Sequence, residues 1–260
     1  MKYNREIGFV GFFLALYVLY FSLIETGPAK FFTAPNAQKL FYFHVPSGLI
    51  TYLAFLMVVG GSVVYLYNKS EYADNLAKSS AELGIVFGFM SLASGTFWMK
   101  AEWGGDIVSR FLTDMRLAST LAMWILYVAY FVYRRQPENS VVKNNAAILG
   151  LSGMIMVPLS YLSSRFLRSH HPVIVGTEDQ GSLDPSLRIG LYAGLFSFLL
   201  IYFFLFQLRM KIEDLEILIL KSARAKINAS SCHLSPGIRT PSISNIIDFT
   251  VPILFNLYSL

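Results

Sequence analysis

The chain has 260 residues, of which 55% are hydrophobic and only 14% are charged, and its formal net charge is +5. Soluble domains carry roughly 25% charged residues, so this chain has too little polar side-chain surface to coat a water-soluble globule. The composition excludes a soluble enzyme and indicates a membrane protein. The basic residues flank apolar segments, where they bias orientation in a membrane, and no nucleic-acid motif accompanies them. We therefore expect no nucleic-acid partner.

Six apolar segments follow one another along the chain, and each is close to the 20 or so residues that a helix needs to cross the bilayer core. The first is too long for a signal peptide and lacks a small-residue cleavage site, so we interpret it as a retained span. The sequence therefore predicts an all-α fold, a polytopic membrane helix bundle within residues 1–210. The predicted spans are 6–24, 47–67, 80–98, 117–133, 145–164 and 188–208.

An even number of spans places both termini on one side of the membrane. Near the spans, that side holds twelve Lys and Arg residues and the opposite side holds eight. By the positive-inside rule, this difference predicts that both termini lie inside. The loops after the first, third and fifth spans then lie together at the outer end of the bundle, which we call the odd-loop end.

Residues 211–260 form a tail of unassigned role. Its first part, 212–227, has acidic residues before basic ones and is typical of an amphipathic interfacial helix. The last twenty residues are apolar, but Pro241, Asp248 and Pro252 argue against a seventh span, because a charge and a missing backbone donor both cost free energy in lipid.

Histidines are concentrated in the odd-numbered loops. The chain has four, and His44, His170 and His171 lie there, whereas His233 lies in the tail. A neutral imidazole at the end of a span can ligate a metal, and a six-coordinate haem iron takes two opposed imidazoles. The alternative for each is an interfacial histidine that bonds a backbone carbonyl. Pro46 is expected in the first turn of the second span, which would set the depth of His44.

The third loop adds aromatic and charged residues to the same end. Trp98 and Trp103 could stack on a porphyrin, and glycines at 104 and 105 would allow close backbone approach; an interfacial aromatic belt is the alternative. The arginines of this end could pair with haem propionates or with the aspartates in structural ion pairs. These residues are Arg110, Arg116, Arg165, Arg168 and Arg188, with Asp106, Asp114 and Asp184; Asp184 also suits the N-cap of the sixth span, with Pro185 as its first helical residue.

Several of these motifs resemble those of the CcmC family, the haem-handling membrane subunits of cytochrome c maturation, which belong to the wider CcmC/CcmF/CcsA haem handling proteins. "FYFHVPSG" (41–48) is similar to the family's Tyr-x-His-Val-Pro segment, and "SGTFW" (94–98) to the end of its third span. "PLSYLSSRFLRSHHP" (158–172) resembles the segment that ends at the second ligand histidine, and "SLDPSLR" (182–188) the entry to the last span. The resemblance covers about residues 5–210.

The third loop departs from the family pattern. Trp103-Gly104 and Asp114-x-Arg116 keep it, whereas "GDIVSRFLT" (105–113) replaces a tryptophan cluster and is about four residues longer. Phe97, Phe111 and Trp98 are the aromatic side chains that could replace the lost stacking surface. Pro172 stands where the family has glutamine.

The resemblance implies a non-enzymatic function. The protein would bind haem b transiently at the outer face through two axial histidines, His44 and His171, and pass it to a membrane-anchored periplasmic haem chaperone. Trp98, Trp103, Asp114 and Arg116 would line the haem or the chaperone contact. The implied partners are ABC-transporter subunits and a small membrane subunit, in a plasma (inner) membrane or a mitochondrial inner membrane.

Three alternatives remain from the sequence. One is a b-type haem subunit of a membrane oxidoreductase, although ligand histidines in such subunits usually lie within spans. Another is a structural subunit of a transporter complex without haem. A small-solute permease is disfavoured because the predicted spans have few charges, with Glu82 the main candidate.

Overall fold

The computed structural model describes residues 4–28, 33–137, 139–166 and 185–232, which form helices and turns without a β-strand. A π-helical turn, Phe21–Glu25, extends the first helix, and a 3-10 helix, Pro35–Leu40, leads into the second. The α-helices are α1 (Arg5–Tyr20), α2 (Phe41–Asn68), α3 (Glu71–Trp103), α4 (Ile107–Thr113), α5 (Met115–Tyr133), α6 (Ser140–Gly150), α7 (Gly153–Phe166) and α8 (Pro185–Cys232).

Six stretches within these ranges are long and apolar enough to cross a membrane, so the predicted all-α, six-span bundle is confirmed. They are Arg5–Glu25, Pro35–Asn68, Glu71–Trp103, Met115–Tyr133, Ser140–Ser163 and Arg188–Ala223. The chain forms two compact units, Met1–Lys211 and Ile212–Leu260. A division into a membrane domain to residue 210 and a separate tail stays a prediction.

Contacts between the first and last spans show that the start of the first lies beside the end of the last. The backbone N–H of Asn4 donates to Oε1 of Gln207 at 3.2 Å, and Gly8 faces the ring of Phe204. At the other end, Val18 and Leu191 belong to one buried cluster. The chain therefore enters the first span and leaves the last at the same end, opposite the odd-loop end. That this end faces the inside stays a prediction.

Helices α2 and α3 run antiparallel along a close contact that we call the α2–α3 seam. From one contacting pair to the next, the residue number rises in α2 by as much as it falls in α3. The register between the two helices is therefore constant over some 20 Å. In three of the four pairs a glycine lets the two backbones approach. The pairs are Phe55 with Gly84, Gly48 with Ser91, His44 with Gly95, and Phe41 with Trp98.

The predicted fifth span, 145–164, is two helices in the structure. α6 ends at Gly150 and α7 begins at Gly153, and the Tyr127 hydroxyl donates to the Gly150 carbonyl at 3.3 Å. A Cβ on Gly153 would overlap the Tyr127 hydroxyl, so glycine is needed where the tyrosine enters. Tyr127 also stacks on Phe55 with ring centroids 3.8 Å apart. The break therefore accommodates a buried polar group of α5.

Three of the helices are longer than the predicted spans. α3 runs from Glu71 to Trp103 where 80–98 was predicted. α2 begins at Phe41 rather than at residue 47, so His44 lies within the helix and Pro46 lies in its interior rather than in its first turn. Pro46 lacks the N–H that the Tyr42 carbonyl would otherwise accept, and α8 approaches this carbonyl closely at Gly194. The last helix continues past residue 208 to Cys232, while its start at Pro185 is as predicted. Asp184 lies outside the described residues.

Charged side chains cluster at the end opposite the odd-loop end. Asp74 and Arg134 form an ion pair at 2.7 Å, and their side chains are only 4% and 1% exposed. Lys143 lies 3.7 Å from the same carboxylate and also pairs with Glu71. We call these four residues the α3–α5–α6 ion cluster, since it joins those helices. Glu82, the charge singled out from the sequence, pairs with Arg209 of α8.

Candidate functional site

His44 lies four residues into α2, with its imidazole against α3. Its Nδ1 is 3.0 Å from the backbone carbonyl oxygen of Ser91 and 3.2 Å from Oγ of Ser94. A carbonyl oxygen can only accept, so the hydrogen bond requires the proton on Nδ1 and leaves the lone pair on Nε2. Metal-ligating histidines almost always donate their other ring N–H in this way. The geometry thus suits His44 to bind iron through Nε2.

Gly95 makes room for this imidazole. A Cβ placed on Gly95 would lie 2.6 Å from Cε1 of His44, which is shorter than any normal contact. From the sequence, Gly95 was only part of a motif; its physical role is to let the ring lie against the α3 backbone. Ser91 and Ser94 were not singled out at all, because a serine in a membrane helix carries no signal of which neighbour it faces.

Trp98 and Trp103 belong to an aromatic cluster at the odd-loop end, where Trp98 follows Gly95 by about one turn of α3. Trp98 is 3% exposed, with its ring centroid 5.2 Å from that of Phe41 and 5.0 Å from that of Trp103. The cluster also contains Val18 of α1 and Leu191 of α8. Trp98 is therefore a packing residue that holds four helices together at the odd-loop end. Contact of either tryptophan with haem stays a prediction.

The third loop turns sharply after α3. Gly104 and Gly105 have φ angles of 62° and 78°, a region that glycine adopts without strain, and Lys100 Nζ donates to the Gly105 carbonyl at 2.7 Å. These glycines are thus explained by backbone conformation in the turn. The short helix α4 follows and exposes Val108 and Leu112.

Asp114 and Arg116 begin α5 at the same end. Asp114 is the N-cap, accepting from the backbone N–H groups of Arg116 at 3.0 Å and Leu117 at 3.3 Å, and it is 3% exposed. Arg116 lies within electrostatic range of the His44 ring. Arg116 therefore lies at the same end of the bundle as His44, and Asp114 has a structural role as N-cap. Contact of either residue with haem stays a prediction.

The second predicted ligand, His171, lies outside the described residues, as do His170, Arg168 and Pro172. Of Arg165 only the backbone is described, within α7. Among the described residues, the structure brings His44 together with Trp98, Trp103 and Arg116 at one end of the bundle. Predicted contacts of His171 with this group stay predictions.

Glu102, in the last turn of α3, ties this helix to the first loop and was missed from the sequence. Its two carboxylate oxygens accept from the backbone N–H groups of Thr33 and Ala34, both at 2.8 Å, at the start of the 3-10 helix that leads to His44. Glutamate is common at helix ends, and nothing in its local sequence indicates that it bonds to a segment almost 70 residues away.

Replacing Glu102 with alanine is expected to lower the free energy of unfolding by about 1–2 kcal/mol, because two N–H groups lose a charged acceptor. Thermal unfolding of the detergent-solubilised protein measures this loss. Glu25→Ala is the matched control, since it removes an exposed carboxylate from the same end of the bundle. Equal melting temperatures for the two variants would contradict the assigned role of Glu102.

Comparison with known proteins places the chain in a family. The sequence model of the family described as heme exporter protein C (CcmC) matches residues 3–226. Heme exporter protein C of Escherichia coli K12 is 27% identical over 177 residues, which are 68% of this chain and 70% of the relative. The Bradyrhizobium diazoefficiens protein of that name is 28% identical over 211 residues, 80% and 79% of the two chains. A ccmC-like mitochondrial protein of Marchantia polymorpha is 26% identical over 214 residues, 82% and 86%.

The matched region contains all six spans of the described residues and the helix ends that carry His44 and Trp103. The family match covers far more than half of the chain, and the relatives align over most of their own lengths. The chain therefore belongs to the heme exporter protein C family.

Proposed function

We propose that the protein binds haem at the odd-loop end and passes it to a receiving protein during cytochrome c maturation. The family functions in haem handling for cytochrome c biogenesis, and the chain is a multi-pass inner-membrane protein. The observation that carries the proposal is the hydrogen bond from Nδ1 of His44 to the Ser91 carbonyl. That bond directs the lone pair to Nε2, which is the atom an axial ligand needs.

The proposed site has His44 and His171 as the two axial ligands of haem b. Arg116 would pair with a propionate, because a guanidinium binds a carboxylate through two parallel hydrogen bonds. The cluster of Trp98 and Trp103 would form the packed protein surface beneath the bound haem. Haem is cargo here: iron–nitrogen bonds form and break, while the porphyrin is unchanged. The function is thus binding and transfer without catalysis.

The proposed orientation places this site on the outer side of the membrane. Its support is the excess of Lys and Arg at the opposite end. The stretch Pro35–Asn68 has 34 residues, more than the 20 or so needed to cross the core, so His44 near its start would lie close to the membrane boundary. A membrane-anchored periplasmic haem chaperone would accept the haem there, and ABC-transporter subunits and a small membrane subunit would act with this chain.

Co-purification of haem tests the proposal. The protein is expressed with ample haem, purified in mild detergent, and its oxidised and reduced absorption spectra are recorded. We expect a b-type spectrum from the wild type, loss of most of it in His171→Ala, and retention in His170→Ala. A wild type without haem, or a normal spectrum in His171→Ala, would refute the bis-histidine proposal. Loss in His170→Ala alone would move the second ligand by one residue.

A further inference from the structure

We propose that Ser94 and Gly95 of α3 are positioning residues for His44, which together with the Ser91 carbonyl fix the tautomer and the ring plane of the imidazole. The consequence for bound haem rests on the proposed function, whereas the consequence for the haem-free protein does not. The inference assigns a role to a segment of α3 that has no ligand residue of its own.

Two acceptors face Nδ1 of His44. The Ser91 carbonyl can only accept, at 3.0 Å. The Ser94 hydroxyl donates its own proton to the Met90 carbonyl at 2.7 Å, so its oxygen presents a lone pair to Nδ1 at 3.2 Å. The other neutral tautomer would place an Nδ1 lone pair against the Ser91 carbonyl oxygen, and the Ser94 hydroxyl could meet that lone pair only by giving up its bond to the Met90 carbonyl. The environment therefore selects the tautomer with the proton on Nδ1.

Gly95 determines where the ring can lie. A Cβ at this position would stand 2.6 Å from Cε1, 3.1 Å from Nδ1 and 3.5 Å from Nε2 of His44. Two ring atoms, Cε1 and Nδ1, thus lie closer than a side chain at this position would allow. A methyl group there must push the ring away from α3, and the hydrogen bond to the Ser91 carbonyl would lengthen. Gly95 and the acceptors therefore act on the same ring from the same helix.

These contacts should tune an iron bound at Nε2. Donation from Nδ1 to an oxygen raises the basicity of the opposite ring nitrogen, and hydrogen bonding around an axial ligand is one of the determinants of haem reduction potential. A more basic imidazole favours Fe(III) over Fe(II), so removing an acceptor is expected to raise the midpoint potential.

The first experiment uses haem-free protein. The chain has only four histidines, so ¹⁵N-histidine labelling gives few signals, and His44→Gln identifies those of His44. We expect the wild type to show a protonated Nδ1 and an unprotonated Nε2 at His44, and Gly95→Ala to show a mixture of tautomers. An Nε2-protonated His44 in the wild type, or an unchanged pattern in Gly95→Ala, overturns the inference.

Gly84→Ala is the matched control for Gly95→Ala. Its Cβ would lie 2.5 Å from a ring carbon of Phe55, so it crowds the same α2–α3 seam to the same degree, three turns of helix away from His44. We expect this variant to keep the wild-type tautomer of His44. An equal tautomer change in Gly84→Ala and Gly95→Ala would show that crowding anywhere in the α2–α3 seam alters His44. That result would overturn the inference.

The second experiment measures haem content and midpoint potential. Gly95→Ala is expected to lose about tenfold or more of its bound haem relative to Gly84→Ala, the size typical of outer-shell changes at metal ligands. Ser94→Ala should keep haem with a higher midpoint potential, and Ser94→Thr, which keeps the hydroxyl, should restore the wild-type value. Wild-type values in both Ser94→Ala and Gly95→Ala overturn the inference. Haem absent from the wild type would instead refute the proposed function, and the tautomer measurement still decides the role of Ser94 and Gly95.

Discussion

Replacing His44 with alanine is expected to remove haem from the purified protein almost completely. The reason is the proposed role of His44 as axial ligand: the hydrogen bond from Nδ1 to the Ser91 carbonyl leaves the lone pair on Nε2 for iron. Loss of an axial ligand leaves a methyl group, which cannot coordinate. The absorbance of reduced haem per mole of protein measures the effect.

Ser47→Ala is the matched control for this prediction. Ser47 follows His44 by one turn, is fully buried, and donates to the His44 carbonyl at 2.9 Å, so its replacement perturbs the same part of α2 without touching the ring. We expect normal haem content in Ser47→Ala. A His44→Ala protein that retains a wild-type spectrum would show that iron is held elsewhere.

Breaking the Asp74–Arg134 ion pair is expected to lower the free energy of unfolding by about 3–5 kcal/mol, because each single replacement leaves a buried charge without its main partner. The pair is 2.7 Å apart and almost completely buried. Asp74→Asn, Arg134→Met and the double variant form the cycle. The double variant should be more stable than the sum of the single effects predicts, because neither member of the pair is then left without the other.

Glu71→Gln provides the comparison within the same ion cluster. Its side chain is 63% exposed although it pairs with Lys143, and exposed ion pairs contribute about 0–1 kcal/mol. Thermal unfolding in detergent ranks the variants. If Asp74→Asn melted at the same temperature as Glu71→Gln, the buried pair would not hold α3 to α5.

The spans were predictable from sequence because their signal is compositional. Length and hydropathy identify a membrane helix without knowledge of its neighbours, and six spans were found in the right order. The interruption between α6 and α7 was not predictable, since it depends on Tyr127 of another helix entering beside Gly153. The early start of α2 was missed because Pro46 suggests a helix start, whereas here it lies in the helix interior.

The candidate site was predictable only in part, because some of its residues are defined by contacts with a neighbouring helix. His44 stands out by residue type and by its place in the chain. Because alternate loops lie on the same side of the membrane, the order of the spans placed it at one end with Trp98 and Trp103. The residues that orient it do not stand out. Ser94 and Gly95 are ordinary in a membrane helix, and the oxygen that fixes the tautomer belongs to a backbone carbonyl. Such contacts follow from the register of the α2–α3 seam, which the sequence pattern does not specify.

The register of that seam has a consequence for how fast haem could leave. His44 is held by two helices packed at matched positions over several turns, so its ring has little freedom to swing outward with the porphyrin. Transfer from the proposed site would then be a ligand substitution, in which a group of the receiving molecule replaces Nε2 at iron while the imidazole keeps its place. On the His44 side, the release rate would depend on the strength of the bond between Nε2 and iron and on access for the incoming ligand, without a hinge motion of His44.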